Sequence, residues 1–169
     1  MHHSPGFYDL FADQLRDLYQ VETQLHRALP DSVEAANTRA LKEMFAQDLV
    51  ATGSRIAQLR HMFDWLAIKS EGHLSPAIRG LIEKCYQVIR ADYSQQVHDA
   101  GLIASVQRIT HYQLTGYRTA RAFAEILDDA ELAQRLQYML DEKVRADRML
   151  NVLAEDILKH NTAERSAGW

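Results

Sequence analysis

The sequence has little that would interrupt a helix. Among 169 residues there are three prolines and seven glycines, so long uninterrupted helices are the expected unit. There is one cysteine, Cys85, which excludes an internal disulfide and suits a reducing compartment. No run approaches the ~20 apolar residues of a membrane span. The start, M-H-H-S-P-G, has no apolar core behind a basic segment, so no signal peptide is expected. Excess positive charge is missing too: the formal net charge is −4, which argues against a nucleic-acid partner. Also lacking are a strand-period segment of useful length, a Ser/His/Asp or Cys/His constellation, and a phosphate-cradling glycine loop. A chain that is 47% hydrophobic and 25% charged, at this length, reads as a single domain over 1–169 in the cytoplasm, with a bundle over about 5–161 and a flexible tail over 162–169.

Apolar periodicity is what the sequence does have. Leu102, Val106, Ile109, Gln113, Gly116, Ala120, Phe123 and Leu127 are spaced alternately four and three apart, one face of a helix turning about 100° per residue. The central helix is thereby expected over Val97 to Leu127. Before it, Ser4-Pro5 reads as a cap and first turn, and Phe7, Phe11, Leu18, Leu25 and Leu29 form a stripe running past Pro30 to about Asn37. Thr38 is the next cap, followed by Leu41, Met44, Phe45, Leu59, Met62 and Leu66. Ser75-Pro76 opens a shorter helix over Ala77 to about Ala91, placed in the crossover between the second and third long helices. Asp128-Asp129 ends the central helix and caps the last, whose stripe is Leu132, Leu136, Met139, Leu140, Leu150, Ala154 and Ile157. Four long amphipathic helices and one short helix in the crossover predict an all-α four-helix bundle.

Each long helix carries polar residues in its apolar stripe at mid-length. Glu22 lies about 40° from the first stripe's centre line. Asp48 and Arg55 lie within the second, Thr110 and Gln113 on the third, and Lys143 at the centre of the fourth, with Asp147 about 40° off. If all four faces meet, Glu22, Asp48, Arg55, Thr110, Gln113, Lys143 and Asp147 form one inner polar layer. Bundle proteins that bind two metals place carboxylates and histidines in such a layer. Here the donors are too few: three acids stand beside two bases, and His111 points away from the stripe while His26 lies on its flank. Charged Lys and Arg cannot ligate a metal, but they can neutralise carboxylates in its place, and Lys143 is expected to occupy the space of a cation, bonded to Glu22 or Asp147.

The segments Asp9–Leu25, Gly80–Glu83, Asp99–Ala104, His111–Tyr117 and Leu140–Asp147 together resemble the YciF/YciE-type bacterial stress-response proteins, a branch of the ferritin-like superfamily. The resemblance implies a ferritin-like bundle, a homodimer, and a two-metal carboxylate centre. It also shows where this chain departs from the family. Glu22 keeps the first-helix acid and Asp147 is kept in the fourth. Asp48 and Ala51 stand where relatives carry His and Glu, Thr110 and Gln113 where they carry Glu, and Lys143 replaces the second acid of a pair begun by Glu142. The expected function is a non-catalytic stress-associated protein in which a buried salt-bridge network replaces the metals, with no cofactor. One alternative is an iron or manganese protein with oxidase or peroxide-handling activity, with a residual site at Glu22, Asp48, Gln113 and Asp147. The other is a helical partner-binding module whose protein partner is unknown.

Overall fold

The computed structural model describes residues 6–72 and 75–167. It contains five helices: α1 (Phe7–Ala35), α2 (Arg39–Trp65), α3 (Pro76–Ile89), α4 (Gln95–Ile126) and α5 (Ala130–Ala167). Helices α1, α2, α4 and α5 form the bundle, and α3 lies in the crossover against α1 and α4. The expected all-α architecture, with its extra short helix, is what the chain adopts.

The helix ends follow from local chemistry. Asp9 Oδ2 accepts the Gly6 backbone N–H at 2.8 Å and starts α1. Ser4-Pro5, the start expected from sequence, lies outside the described residues. α1 runs through Pro30 to Ala35. Ser75 Oγ accepts the Ile78 N–H at 3.2 Å, with Pro76 at the first position of α3. Asp128 takes a left-handed conformation (φ 58°) after α4, and Asp129 Oδ1 then accepts the Leu132 N–H at 3.0 Å to cap α5. α5 continues to Ala167, where a tail from residue 162 was expected. The segment has no apolar stripe, but Ala163, Glu164, Arg165 and Ala167 are good helix formers.

Neighbouring helices in the bundle run antiparallel. Tyr19 meets Arg60 across α1 and α2, with Arg60 Nε donating to the Tyr19 hydroxyl at 3.0 Å. Gln107 and Asn151 pair at 2.8 Å across α4 and α5. At Gly116 the side chain of Leu18 packs so closely on α4 that a Cβ there would sit 2.8 Å from Leu18 Cδ2. The far end of this pair is tied by Asp99, which is buried on α4. Its carboxylate accepts the backbone N–H groups of Asn37 at 2.7 Å and Thr38 at 2.8 Å, holding the α1–α2 turn. That bond gives Asp99, within the family-like segment Asp99–Ala104, a structural role.

The apolar core is divided in two. One cluster gathers Val21, Leu25, Leu29, Leu41, Phe45, Ile109 and Leu150 with Ile78, Ile82 and Cys85 of α3. The other gathers Phe11, Leu15, Leu18, Leu59, Phe63, Ala120, Leu136 and Met139. Phe7, placed on the inner stripe by its spacing, is half exposed and packs its ring on Phe123. On α2, α4 and α5 the mid-helix polar residues lie between the two clusters in sequence, and on α1 Glu22 follows the changeover from Leu18 to Val21, so this level is where the candidate site sits.

Candidate functional site

Glu22, Asp48, Thr52, Arg55, Thr110, Gln113 and Lys143 are all buried at the middle of the bundle. Arg55 is 1% exposed and Lys143 0%. Charges so enclosed persist only when paired. The Arg55 guanidinium is the hub. Its Nε donates to Glu22 Oε1 at 3.1 Å, and its Nη2 donates to Asp48 Oδ1 and to Thr52 Oγ1, each at 2.8 Å. Its Nη1 lies 3.9 Å from Glu142 Oε2, an ion pair without a direct hydrogen bond. Lys143 Nζ from α5 reaches both oxygens of Asp48, at 3.3 and 3.4 Å. The Tyr117 hydroxyl donates to Glu22 Oε1 at 2.7 Å. All four bundle helices therefore contribute.

The electrostatics follow from this pairing. Burial alone would raise the Asp48 carboxyl, but Lys143 and Arg55 beside it outweigh burial and hold it below its ordinary value. Burial works against the Arg55 charge, and the carboxylates of Glu22 and Asp48 more than offset it, so Arg55 is held protonated more firmly than a free arginine. Burial pushes the Tyr117 hydroxyl well above the tyrosine norm, and the adjacent Glu22 carboxylate pushes it further. The layer is thus a set of fixed charges bonded to each other, with a neutral phenol attached.

The placements differ from the sequence expectation in three respects. Asp147, expected inward, lies on the flank, where His111 Nε2 is 3.0 Å from its Oδ1. The Asp147 side chain is 17% exposed and that of His111 64%. Lys143 was expected to bond Glu22 or Asp147, and it bonds Asp48 instead. The cation at the centre of the acids is Arg55 rather than Lys143. Three participants escaped the sequence reading of the layer: Tyr117, Thr52 and Glu142. Tyr117 follows the stripe residue Gly116 by one position, so spacing alone sets it at the edge while its long ring reaches the centre.

The layer does not suit the two-metal centre that the ferritin-like fold implies. Among the described residues, no three His, Cys, Asp or Glu side chains converge on a common point for a metal. Of Glu22, Asp48, Gln113 and Asp147, the first two are joined through Arg55, Gln113 is buried, and Asp147 pairs with His111. The space between Glu22, Asp48 and Glu142 is taken by a guanidinium, and the free side of Asp48 by an ammonium. Neither can ligate in its charged form.

Four antiparallel helices carrying inward polar groups at one level, with a short helix in the crossover, define a ferritin-like helical bundle. The chain aligns with the crystal structure of the E. coli stress protein YciF at a TM-score of 0.88 and 30% identity, over 92% of this chain and 99% of that one. The chain belongs to the family described as Domain of unknown function (DUF892), which matches residues 7–163. Protein YciF of Escherichia coli (strain K12) is 32% identical over 152 residues, covering 86% of this chain and 89% of that protein. The structure of YcfI from Rhodopseudomonas palustris aligns with a TM-score of 0.83 at 32% identity, over 89% of this chain and 96% of that one. A ferritin-like diiron-carboxylate protein from Bacillus anthracis str. Ames aligns over 89% of this chain and 99% of that one, with a TM-score of 0.71 at 12% identity, a likeness of fold alone. Among the described residues, no helix is long and apolar enough to cross a membrane.

Proposed function

We propose that this chain is a non-catalytic, stress-associated ferritin-like protein in which two buried basic side chains do the neutralising that metal ions perform in carboxylate-bridged bundles. One observation carries the reading: Arg55 lies among the carboxylates of Glu22, Asp48 and Glu142, while Lys143 caps both oxygens of Asp48. A divalent ion at this level would meet two fixed positive charges before it met a free carboxylate pair. The association with stress rests on the likeness to YciF, the homodimer on the family resemblance, and the cytoplasmic location on the lone Cys85, which suits a reducing compartment.

The test is metal content. Protein purified without chelators or a nickel column should hold only traces of Fe, Mn or Zn by elemental analysis. Adding Fe(II) anaerobically should leave Tm unchanged, and exposure to oxygen should produce no oxo-bridge absorption. Stoichiometric iron or manganese, or oxygen consumption dependent on Glu22 and Asp48, would overturn this reading in favour of the oxidase or peroxide-handling alternative.

A further inference from the structure

Among the described residues, two fully enclosed members of the ionic layer have side-chain polar atoms without a hydrogen-bond partner. Gln113 is fully buried, and neither its amide oxygen nor its amide nitrogen has a hydrogen-bond partner. Glu22 is fully buried as well. Arg55 and Tyr117 both bond its Oε1, and Oε2 is left without a partner. α1 and α4 run antiparallel, with Leu18 against Gly116 towards one end and Asp99 bonded to Asn37 at the other. That register sets Gln113 across from Glu22. Buried polar groups in native proteins are satisfied by protein or by ordered water.

We infer that the space between Gln113 and Glu22 is an internal water site that completes the layer. Charge selects the ligand. Arg55 and Lys143 already balance the enclosed Glu22 and Asp48, and Glu142 stands a quarter exposed at the edge, where water screens it, so a cation added beside Gln113 would leave the enclosed set positive, and an added anion would oppose Glu22. A neutral molecule remains. The hydrogen-bond inventory selects it further. Glu22 Oε2 and Gln113 Oε1 are free acceptors, and Gln113 Nε2 is a free donor. Water donates twice and accepts twice, so it can serve both acceptors and still receive a proton from an amide or ammonium. Solvent comes close to the opposite side of the layer. A cleft of about 170 Å³ opens between α2 and α5, lined by Gln47, Asp48, Arg55, Glu142 and Arg145, and reaches the Arg55 guanidinium. Glu142 stands in its wall, a quarter exposed, with Oε2 buried and not hydrogen-bonded.

The inference rests on the metal-free reading of the layer, and its test is made on metal-free protein. Magnetic relaxation dispersion of water ¹⁷O and ²H counts internal waters that outlive molecular tumbling. The wild-type chain should show at least one, and Gln113→Leu, which fills the amide's volume with an apolar group, should lower the count by about one. An unchanged count in a folded Gln113→Leu protein overturns the inference. A high-resolution crystal structure of the wild type keeps the question decidable if that variant fails to fold. Ordered density within hydrogen-bonding distance of both Gln113 and Glu22 Oε2 supports the site, and continuous side-chain packing there overturns it. Potassium or ammonium chloride, compared with choline chloride at equal ionic strength, should leave Tm unchanged. A rise specific to either ion overturns the assignment to water. Stoichiometric iron binding in separate loading experiments would sink the metal-free reading, whereas the water count on metal-free protein stands or falls by itself.

Discussion

Lys143 Nζ lies 3.3 Å from one carboxylate oxygen of Asp48 and 3.4 Å from the other, a contact between α5 and α2 with both side chains buried. The same carboxylate takes Arg55 Nη2 at 2.8 Å. Removing one partner of a buried pair leaves an uncompensated charge, which costs far more than the pair contributes when intact. Lys143→Ala should therefore destabilise the fold by about 3–5 kcal/mol. Arg55 continues to hold Asp48, which favours the lower end of that range. Urea unfolding followed by circular dichroism measures it. A loss below about 0.5 kcal/mol, the size of a surface change, would remove Lys143 from the ionic layer.

The stability of the fold should also depend on acid through Asp48. Its folded value lies below its unfolded one, near 3.9 for a free aspartate. A group lowered in the folded state contributes stability that is fully present above the unfolded value and is lost as pH falls through the folded one. The contribution of Asp48 is thus constant at neutral pH and declines below about pH 4. Urea midpoints between pH 7 and pH 3 should fall more steeply for the wild type than for Asp48→Asn, although Asp48→Asn starts lower. Parallel acid limbs for the two proteins would contradict the placement.

The layer's centre was legible in the sequence and its flanks were not, for a geometric reason. Asp48 and Lys143 lie on the centre lines of their stripes, so helical phase alone sends them inward, and both are buried. Glu22 and Asp147 each lie about 40° off, an angle at which phase does not choose between core and flank. Glu22 went in, to Arg55 and Tyr117, and Asp147 went out, to His111. Those choices depend on the register of one helix against another, which no single-helix period contains. Arg55 illustrates a second limit. Its stem is long enough to extend outward or inward, and its role as hub emerges only when acids from α1, α2 and α5 surround it. The bundle itself, by contrast, was written in four long stripes and few helix breakers.

Tyr117 should act as a hydrogen-bond donor to a charge rather than as mere filler. Its hydroxyl meets Glu22 Oε1 at 2.7 Å inside the core. Tyr117→Phe keeps the ring and removes that bond, with an expected loss of about 1.5–3 kcal/mol, the range for a hydrogen bond to a charged group. The pH dependence provides an independent check. The folded hydroxyl titrates well above the unfolded value near 10, so its contribution is fully present below about pH 10 and is lost as pH rises through the folded value. The wild type and Tyr117→Phe should therefore lose part of their stability difference at strongly alkaline pH. A difference that stays constant up to pH 12 would indicate that the hydroxyl does not serve Glu22.

Glu22 and Asp147 offer the sharpest contrast, because they sit at similar angles on their stripes and end in different solvents. Glu22→Ala strips Arg55 of one carboxylate and Tyr117 of its acceptor, all within the core, and should cost about 3–5 kcal/mol. Asp147→Ala removes a contact with an exposed histidine, an ion pair only when that histidine is protonated, where water replaces the lost partner, and should cost under about 1 kcal/mol. Salt separates them further. Screening acts on exposed pairs and hardly reaches enclosed ones, so the small Asp147 effect should shrink in 1 M sodium chloride while the Glu22 effect persists. Denaturation curves of the two variants at low and high salt measure both quantities. Equal losses, or a salt-sensitive Glu22 effect, would mean that the layer is open to solvent and that Arg55 is not the enclosed cation on which the metal-free reading depends.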